Sequence, residues 1–257
     1  MGQHNESRRT VKTAERTFDI VELLNDLESA SLTELAQALD VPRSTLHTYL
    51  TTLVDKGYLR KDGDAYELSL KFLDHGVKAQ KNEPLYEVSG PFLEQVSSET
   101  EEIAWIVVEE QGEAVCLRKA EGKRAIQPYK RVGGRLSMHD IAAGKAILST
   151  FSEERVWEII DDYGLPARTE NTITDPDELF EELAEIRRTG VAFNDCESME
   201  GFRAVASPIR PEDTLYGALV TSGPKNRFHD DRFRNELPEI ISGAANAMEL
   251  ELMSGME

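Results

Sequence analysis

The sequence is short of positive charge. Lys and Arg number 29 against 48 Asp and Glu, a formal net charge of −19 over 257 residues. A surface of that sign repels polyanions unless the charge is unevenly placed. It is uneven here: residues 1–80 carry 10 basic and 13 acidic side chains, the remainder 19 and 35. An acid-rich, lysine-poor composition also fits a halophilic protein, hydrated in multimolar salt where the screening length falls to about 3 Å or less. Cysteine is scarce. Cys116 and Cys196 are far apart and without metal-ligand spacing, which excludes a disulfide framework and a zinc site. The five histidines, His4, His47, His75, His139 and His229, are scattered, so no ligand pair is formed in sequence. No apolar run approaches the roughly 18 residues of a membrane span, and the start Met-Gly-Gln-His-Asn-Glu-Ser-Arg-Arg has no apolar stretch. A cytoplasmic protein with no membrane partner is expected. Internal repeats and low-complexity tracts are absent as well. His139 and Asp140 are sequence neighbours whose side chains diverge, and Asp175-Pro176-Asp177-Glu178 has the form of a helix start. No catalytic centre, metal or cofactor is therefore expected, and the chain is not read as an enzyme.

What is present suffices for two compact domains. From Thr13 the residues Ala14, Phe18, Val21 and Leu24 recur at steps of three and four, with Ile20 and Leu23 beside them, and predict an amphipathic helix to about Leu27. Glu28-Ser29-Ala30 is a break. Ser31 with Glu34 three residues later forms a capping box before a short helix over 32–39. Asp40-Val41-Pro42 makes a turn into a third helix, which runs from Pro42 to Lys56 and stops at Gly57. Two short strands, 58–61 and 65–68, flank Asp62-Gly63-Asp64 as a β-hairpin. Three helices and a hairpin make a winged helix-turn-helix. Residues 71–97 read as helical connecting material broken near Pro84 and Pro91.

Beyond residue 98 the texture changes. Strand-like runs occur at 103–108, 114–117, 204–209 and 215–221, and helical ones at 141–149, 153–163, 176–189 and roughly 230–253. Strands and helices interleave without βαβ repeats, which predicts an α+β domain around an antiparallel sheet. The domains expected are 1–70, a linker over 71–98, and 99–257.

The third helix carries the clearest chemical signal. From residue 42 to 54 there is no acidic side chain, in a chain dominated by acids. Its polar face presents Arg43, Ser44, Thr45, His47, Thr48, Tyr49, Thr51 and Thr52, groups that approach base edges and phosphates without repulsion. Arg43 and Ser44 sit in the first turn, where a recognition helix meets the major groove. Arg60 and Lys61 at the base of the wing are candidates for the adjacent backbone, and Arg8, Arg9, Lys12 and Arg16 extend the footprint. The competing reading is a solvated surface helix; the acid-free face coinciding with winged-helix spacing favours double-stranded DNA.

These segments resemble a known family. Ser31-Leu32-Thr33-Glu34-Leu35-Ala36, Val41-Pro42-Arg43-Ser44-Thr45-Leu46-His47 and Leu53-Val54-Asp55-Lys56-Gly57-Tyr58-Leu59 are similar to the winged helix of IclR transcription regulators. The resemblance continues through Leu136-Ser137-Met138-His139 with Ala143-Gly144-Lys145-Ala146, and through Gly190-Val191-Ala192-Phe193-Asn194-Asp195 with Glu197 and Gly201. It ends with Ala204-Val205-Ala206-Ser207-Pro208 and Ser222-Gly223-Pro224. It covers nearly the whole chain in order.

The resemblance implies a GAF-like C-terminal effector-binding domain around the antiparallel sheet, with a pocket for a small organic acid, sugar-derived acids included. It places Met138, Ala142 and Ala143 on the helix side of that pocket. On the sheet side it places Asn194, Asp195, Phe202, Ala204 and Ser222, with Ser222 and Asn194 as donors and Phe202 as an apolar wall. The small residues Ala142, Ala143 and Gly144 are expected to admit a ligand close to backbone N–H groups at a helix start. The family often has cysteine where this chain has Ala204, and an acid where it has Cys196. Packing and turn formation are the plain alternative for all these positions.

The implied protein is a repressor or activator working as a homodimer or homotetramer on pseudo-palindromic operators, with the first helix and the connecting helix as self-contacts. The alternatives are a sensor whose winged helix contacts protein, and a GAF-like domain with residual enzymatic activity. A basic run, Arg118, Lys119, Lys123, Arg124, Lys130, Arg131 and Arg135, is either a site for an anion, DNA or a partner subunit, or the solvated edge of a hairpin, the reading favoured here.

Overall fold

A computed structural model describes residues 10–126 and 131–255. The chain divides into two compact units that meet in sequence between Ala79 and Gln80.

The first unit holds α1 (Lys12–Leu27), β1 (Ser29–Ser31), α2 (Leu32–Ala38), α3 (Arg43–Asp55), β2 (Leu59–Asp62), β3 (Ala65–Leu68) and most of α4 (Lys71–Lys81). The capping box forms as the spacing predicts: the Glu34 N–H donates to Ser31 Oγ at 3.3 Å, and the Ser31 N–H donates to the Glu34 carboxylate at 2.8 Å. The break expected at Ser29 and Ala30 is instead a short strand. Ala30 pairs with Tyr66, giving an antiparallel sheet in the order β1-β3-β2. Ile20, Leu24, Leu35, Leu46, Leu50, Leu53 and Leu59 are buried in one core, each contributing about 1.5–3 kcal/mol. The apolar stripe of α1 is only partly covered. Ile20 and Leu24 face the core, whereas Ala14 lies in the open and Phe18 is 64% exposed.

The second unit begins with α5 (Pro84–Thr100), which contributes Leu85, Leu93 and Val96 to that unit's core. Pro91 does not break it; the helix runs through and forgoes one internal hydrogen bond. Strands β4 (Ile103–Glu110), β5 (Glu113–Glu121), β6 (Arg135–Leu136), β7 (Ala192–Asp195), β8 (Phe202–Ile209) and β9 (Gly217–Pro224) form one sheet, ordered β6-β5-β4-β9-β8-β7 and antiparallel throughout. Alternation in β4 sorts the two faces. Ala104, Ile106 and Val108 pack under α5 and the last helix, α9 (Leu237–Ser254). Ile103, Trp105 and Val107 face α6 (Ala142–Leu148), α7 (Glu153–Tyr163) and α8 (Pro176–Thr189). A π-turn over Arg232–Glu236 precedes Pro238, which has no N–H with which to continue a regular ladder. No helix among the described residues is long and apolar enough to cross a membrane.

Candidate nucleic-acid interface and ligand cavity

In the first unit α3 turns Leu46, Leu50 and Leu53 inward and leaves Arg43, Ser44, Thr45, His47, Thr48, Thr51 and Thr52 exposed, with Tyr49 half-buried. Thr48 and Thr52 donate their hydroxyls to the carbonyls of Ser44 and Thr48, at 3.2 and 2.8 Å. Their outward lone pairs are then acceptors, suited to the amino groups that cytosine and adenine show in the major groove. Together with Thr13 and Thr17 of α1, these side chains line a hydroxyl-rich groove of about 520 Å³. The Arg43 guanidinium donates to Thr33 Oγ1 at 2.6 Å, which ties it across the turn to α2. At the wing, Arg60 pairs with Glu67 and the Lys61 ammonium lies 5.5 Å from the Tyr66 ring centroid. Arg16 donates to the Leu39 carbonyl, 3.1 Å away. Arg8 and Arg9 lie outside the described residues.

In the second unit a cavity of about 380 Å³ opens on the face of the sheet beneath α6. Strand register assembles its floor. Asn194 pairs with Ala204, Ala204 with Ser222 and Ser222 with Ile103, one row across four strands. The next row is Ala192, Ala206, Val220 and Trp105. Ala142 and Ala143 close the cavity from the helix side, and Phe202 adds an apolar wall. Arg135 and Arg168 also line it, with side chains 39% and 55% exposed, Arg135 paired with Glu113 at 3.2 Å and Arg168 with Asp140 at 3.5 Å.

Sequence comparison then fixes the lineage. Residues 13–63 match the IclR helix-turn-helix domain, and residues 77–250 match the bacterial transcriptional regulator IclR C-terminal domain. The chain belongs to the IclR family. It is therefore a DNA-binding transcription regulator with an effector-binding C-terminal domain, and not an enzyme. It is 29% identical to the "Probable HTH-type transcriptional regulator ArcR" of Halobacterium salinarum over 254 residues, 97% of each chain. It is 33% identical to the acetate operon repressor of Salmonella typhimurium over 227 residues, 86% of this chain and 82% of that one. In fold it resembles an IclR homologue from Microbacterium hydrocarbonoxydans complexed with 4-hydroxybenzoate, with a TM-score of 0.81 at 24% identity over 93% of this chain and 98% of that one.

Against this IclR frame, six of the eight residues the sequence assigned to the pocket line the cavity: Ala142, Ala143, Asn194, Phe202, Ala204 and Ser222. Two do not. Met138 belongs to the core under α6, and a Cβ on Gly144 would lie 2.1 Å from the Met138 carbonyl oxygen. Gly144 thus serves close packing of the chain against itself, not approach of a ligand. Asp195 is drawn off by Arg203, which grips both carboxylate oxygens at 2.8 Å, with Lys225 at 3.2 Å. Asn194 is a wall and not a free donor, since its amide N–H groups go to the Asp140 carbonyl at 2.5 Å and Ser198 Oγ at 3.2 Å. Trp105, Cys116, Arg135, Asp140, Arg168, Ser198 and Met199 line the cavity without having been singled out for it. Their strand and loop positions carry no local mark of a cavity.

The basic run is largely matched by acids. Lys119 pairs with Glu121, Arg124 with Glu101, and Arg135 with Glu110 and Glu113. Arg118 donates to the Tyr86 carbonyl, while Lys130 lies outside the described residues.

Behind the cavity wall, the buried Lys145 ammonium meets both Glu197 oxygens at 2.8 and 2.7 Å and Glu182 at 3.2 Å. Thr172 Oγ1 donates to the Glu197 carbonyl at 2.7 Å. The turn between β7 and β8 is thereby pinned before any ligand arrives. The Arg203 hydrogen bonds, aided by Lys225, pull the Asp195 carboxyl from its ordinary 3.8 to about 2. A carboxyl depressed in the fold contributes stability above its unfolded pKa and loses it as the pH falls through the folded value. The expected result is an Asp195→Asn variant less stable than wild type at neutral pH, with the difference closing between about pH 4 and 2. Urea midpoints across that window check it; a constant difference would remove Asp195 from the acid response.

Proposed function

We propose that this regulator binds a pseudo-palindromic operator as a homodimer or homotetramer. The outer face of α3 enters the major groove, the wing cations Arg60 and Lys61 meet the backbone, and a small organic acid modulates binding from the cavity. Sugar-derived acids fall within this class. The observation that carries the effector reading is the cavity itself. Apolar and small side chains surround a few polar ones, among them Arg135, paired with Glu110 and Glu113, and Arg168, paired with Asp140, and a carboxylate ligand would compete for these two cations. A protein of this fold complexed with 4-hydroxybenzoate supports that size and chemistry. Self-association is supported by apolar groups left uncovered in the first unit, Val11, Phe18, Leu27, Leu70 and Leu73. Effector binding shifts the operator-competent arrangement through a coupling free energy between the two sites.

The test uses the full chain and an operator selected from random duplex DNA, with affinity read by fluorescence anisotropy from low to molar salt. A panel of keto, hydroxy, aromatic and sugar acids is then added. At least one acid is expected to change operator affinity and to raise the melting temperature, with the thermal shift reduced in Ser222→Ala. Retention of no duplex at any salt would replace the DNA reading by one in which the winged helix contacts protein. Silence across the acid panel would overturn the effector class.

A further inference from the structure

Trp105 is 2% exposed and lines the cavity floor. Its indole Nε1 is, among the described residues, the only buried side-chain nitrogen or oxygen with no hydrogen-bond partner. Buried polar groups are almost always paired, and an orphan in a well-packed core calls for an explanation. The position is specific. Trp105 sits in the row Ala192, Ala206, Val220, Trp105, of which Trp105 and Val220 line the cavity. Lys119, its partner on β5, holds an ammonium 5.5 Å from the ring centroid and is itself paired with Glu121. Two further donors of the cavity wall are engaged, while Ser222 also lines the cavity. Asn194 is committed to Asp140 and Ser198, and Arg203 to Asp195, Asp230 and the Phe228 carbonyl.

We infer that Trp105 is a specificity-determining residue, whose indole N–H binds an oxygen acceptor at the buried end of the effector. Resting on the effector reading above, this narrows the ligand to a two-ended molecule. Its carboxylate lies by Arg135 and Arg168, and a second oxygen, a hydroxyl or a ketone, reaches the floor. An isostere with a methyl group in place of that oxygen leaves the N–H unpaired and is rejected, as sites built to hydrogen-bond a polar group reject analogues without it.

Two isosteric pairs test this: 4-hydroxybenzoate against 4-methylbenzoate, and 4-oxopentanoate against 4-methylpentanoate. Dissociation constants are measured by calorimetry on wild type and Trp105→Phe, which keeps a ring and removes the N–H. In wild type the oxygen-bearing member of a pair is expected to bind about tenfold more tightly, and in Trp105→Phe that preference falls to about twofold or less. The unliganded melting temperature of Trp105→Phe is expected to fall only by the packing lost with the smaller ring, because no hydrogen bond is lost. A second readout leaves Trp105 in place. The chain has two tryptophans, so Trp157→Phe isolates Trp105 emission, and 4-oxopentanoate is expected to shift it where 4-methylpentanoate does not.

If the oxygen preference persists in Trp105→Phe, or Trp105 emission ignores bound 4-oxopentanoate, the assignment of Trp105 falls and the cavity reading stands. If none of the four acids binds wild type, the cavity reading falls and takes this one with it. Should Trp105→Phe not fold, the fluorescence arm decides alone.

Discussion

Removing the Arg43 guanidinium and the Thr48 hydroxyl together is expected to weaken operator binding at least about 30-fold, while the melting temperature moves by no more than a few degrees. Each base-reading contact is worth about 1–3 kcal/mol, so losing two removes at least about 2 kcal/mol of specific binding. Both side chains are exposed, and their contacts within the chain are single hydrogen bonds, to Thr33 Oγ1 and the Ser44 carbonyl. The fold therefore loses little. A Thr33→Ala control releases Arg43 without removing it and separates loss of the guanidinium from loss of its tether. Salt dependence discriminates further. The Arg60 charge is met by Glu67, and in an acidic chain few cations remain to displace counterions, each of which contributes about −0.9 to the logarithmic salt slope. A shallow slope with a large Arg43/Thr48 effect is the signature of binding through base contacts. Specific affinity surviving the double substitution would move recognition off α3.

The recognition unit was legible because its signals are local. A capping box, a turn ending in proline and a stop at Gly57, where φ is +76°, each act within a few residues. The stripe on α1 shows where that kind of reading stops. Periodicity reports that Ala14, Phe18, Val21 and Leu24 share a side of the helix, but not what covers it, and within one chain only Leu24 of these is buried, with Ile20 beside the stripe buried as well. β1 went unseen because three residues, Ser-Ala-Ser, are too short for a pattern and pair only through β3. In the second unit, the family resemblance pointed to Asn194, Ala204 and Ser222, which register sets in one row. It did not identify Trp105, whose position in an apolar strand reads as core. Arg168, in the loop between α7 and α8, has no periodicity to mark it. Met138 and Asp195 were misplaced for a tertiary reason, since Gly144 draws one chain segment close and Arg203 captures the carboxylate.

Lys145→Met carries a large expected loss of stability, about 3–5 kcal/mol, because it leaves the Glu197 carboxylate buried without its cation. Lys145 is 1% exposed and Glu197 is buried beside it, whereas Glu182 is half-buried and reaches water when released. The sign of the pH dependence follows from Glu197. Burial raises its carboxyl above the usual range, and the Lys145 ammonium opposes that rise. Without the ammonium the rise is larger, so the folded variant holds a proton that the unfolded chain releases above its ordinary 4.5. Lys145→Met is then more stable at pH 5 than at pH 8, relative to wild type. Urea unfolding at the two pH values measures this, and a penalty that does not shrink on acidification would show that the cost is lost packing and not a stranded charge. Replacing Glu197 as well, in Lys145→Met with Glu197→Leu, removes the stranded charge and recovers part of the loss. It does not restore the cavity. Glu197 also accepts the Asp195 N–H at 3.3 Å, and its own N–H donates to Asn194 Oδ1 at 3.2 Å. Stability recovered without effector affinity would therefore show that the ion pair holds the turn between β7 and β8 in the shape that binds.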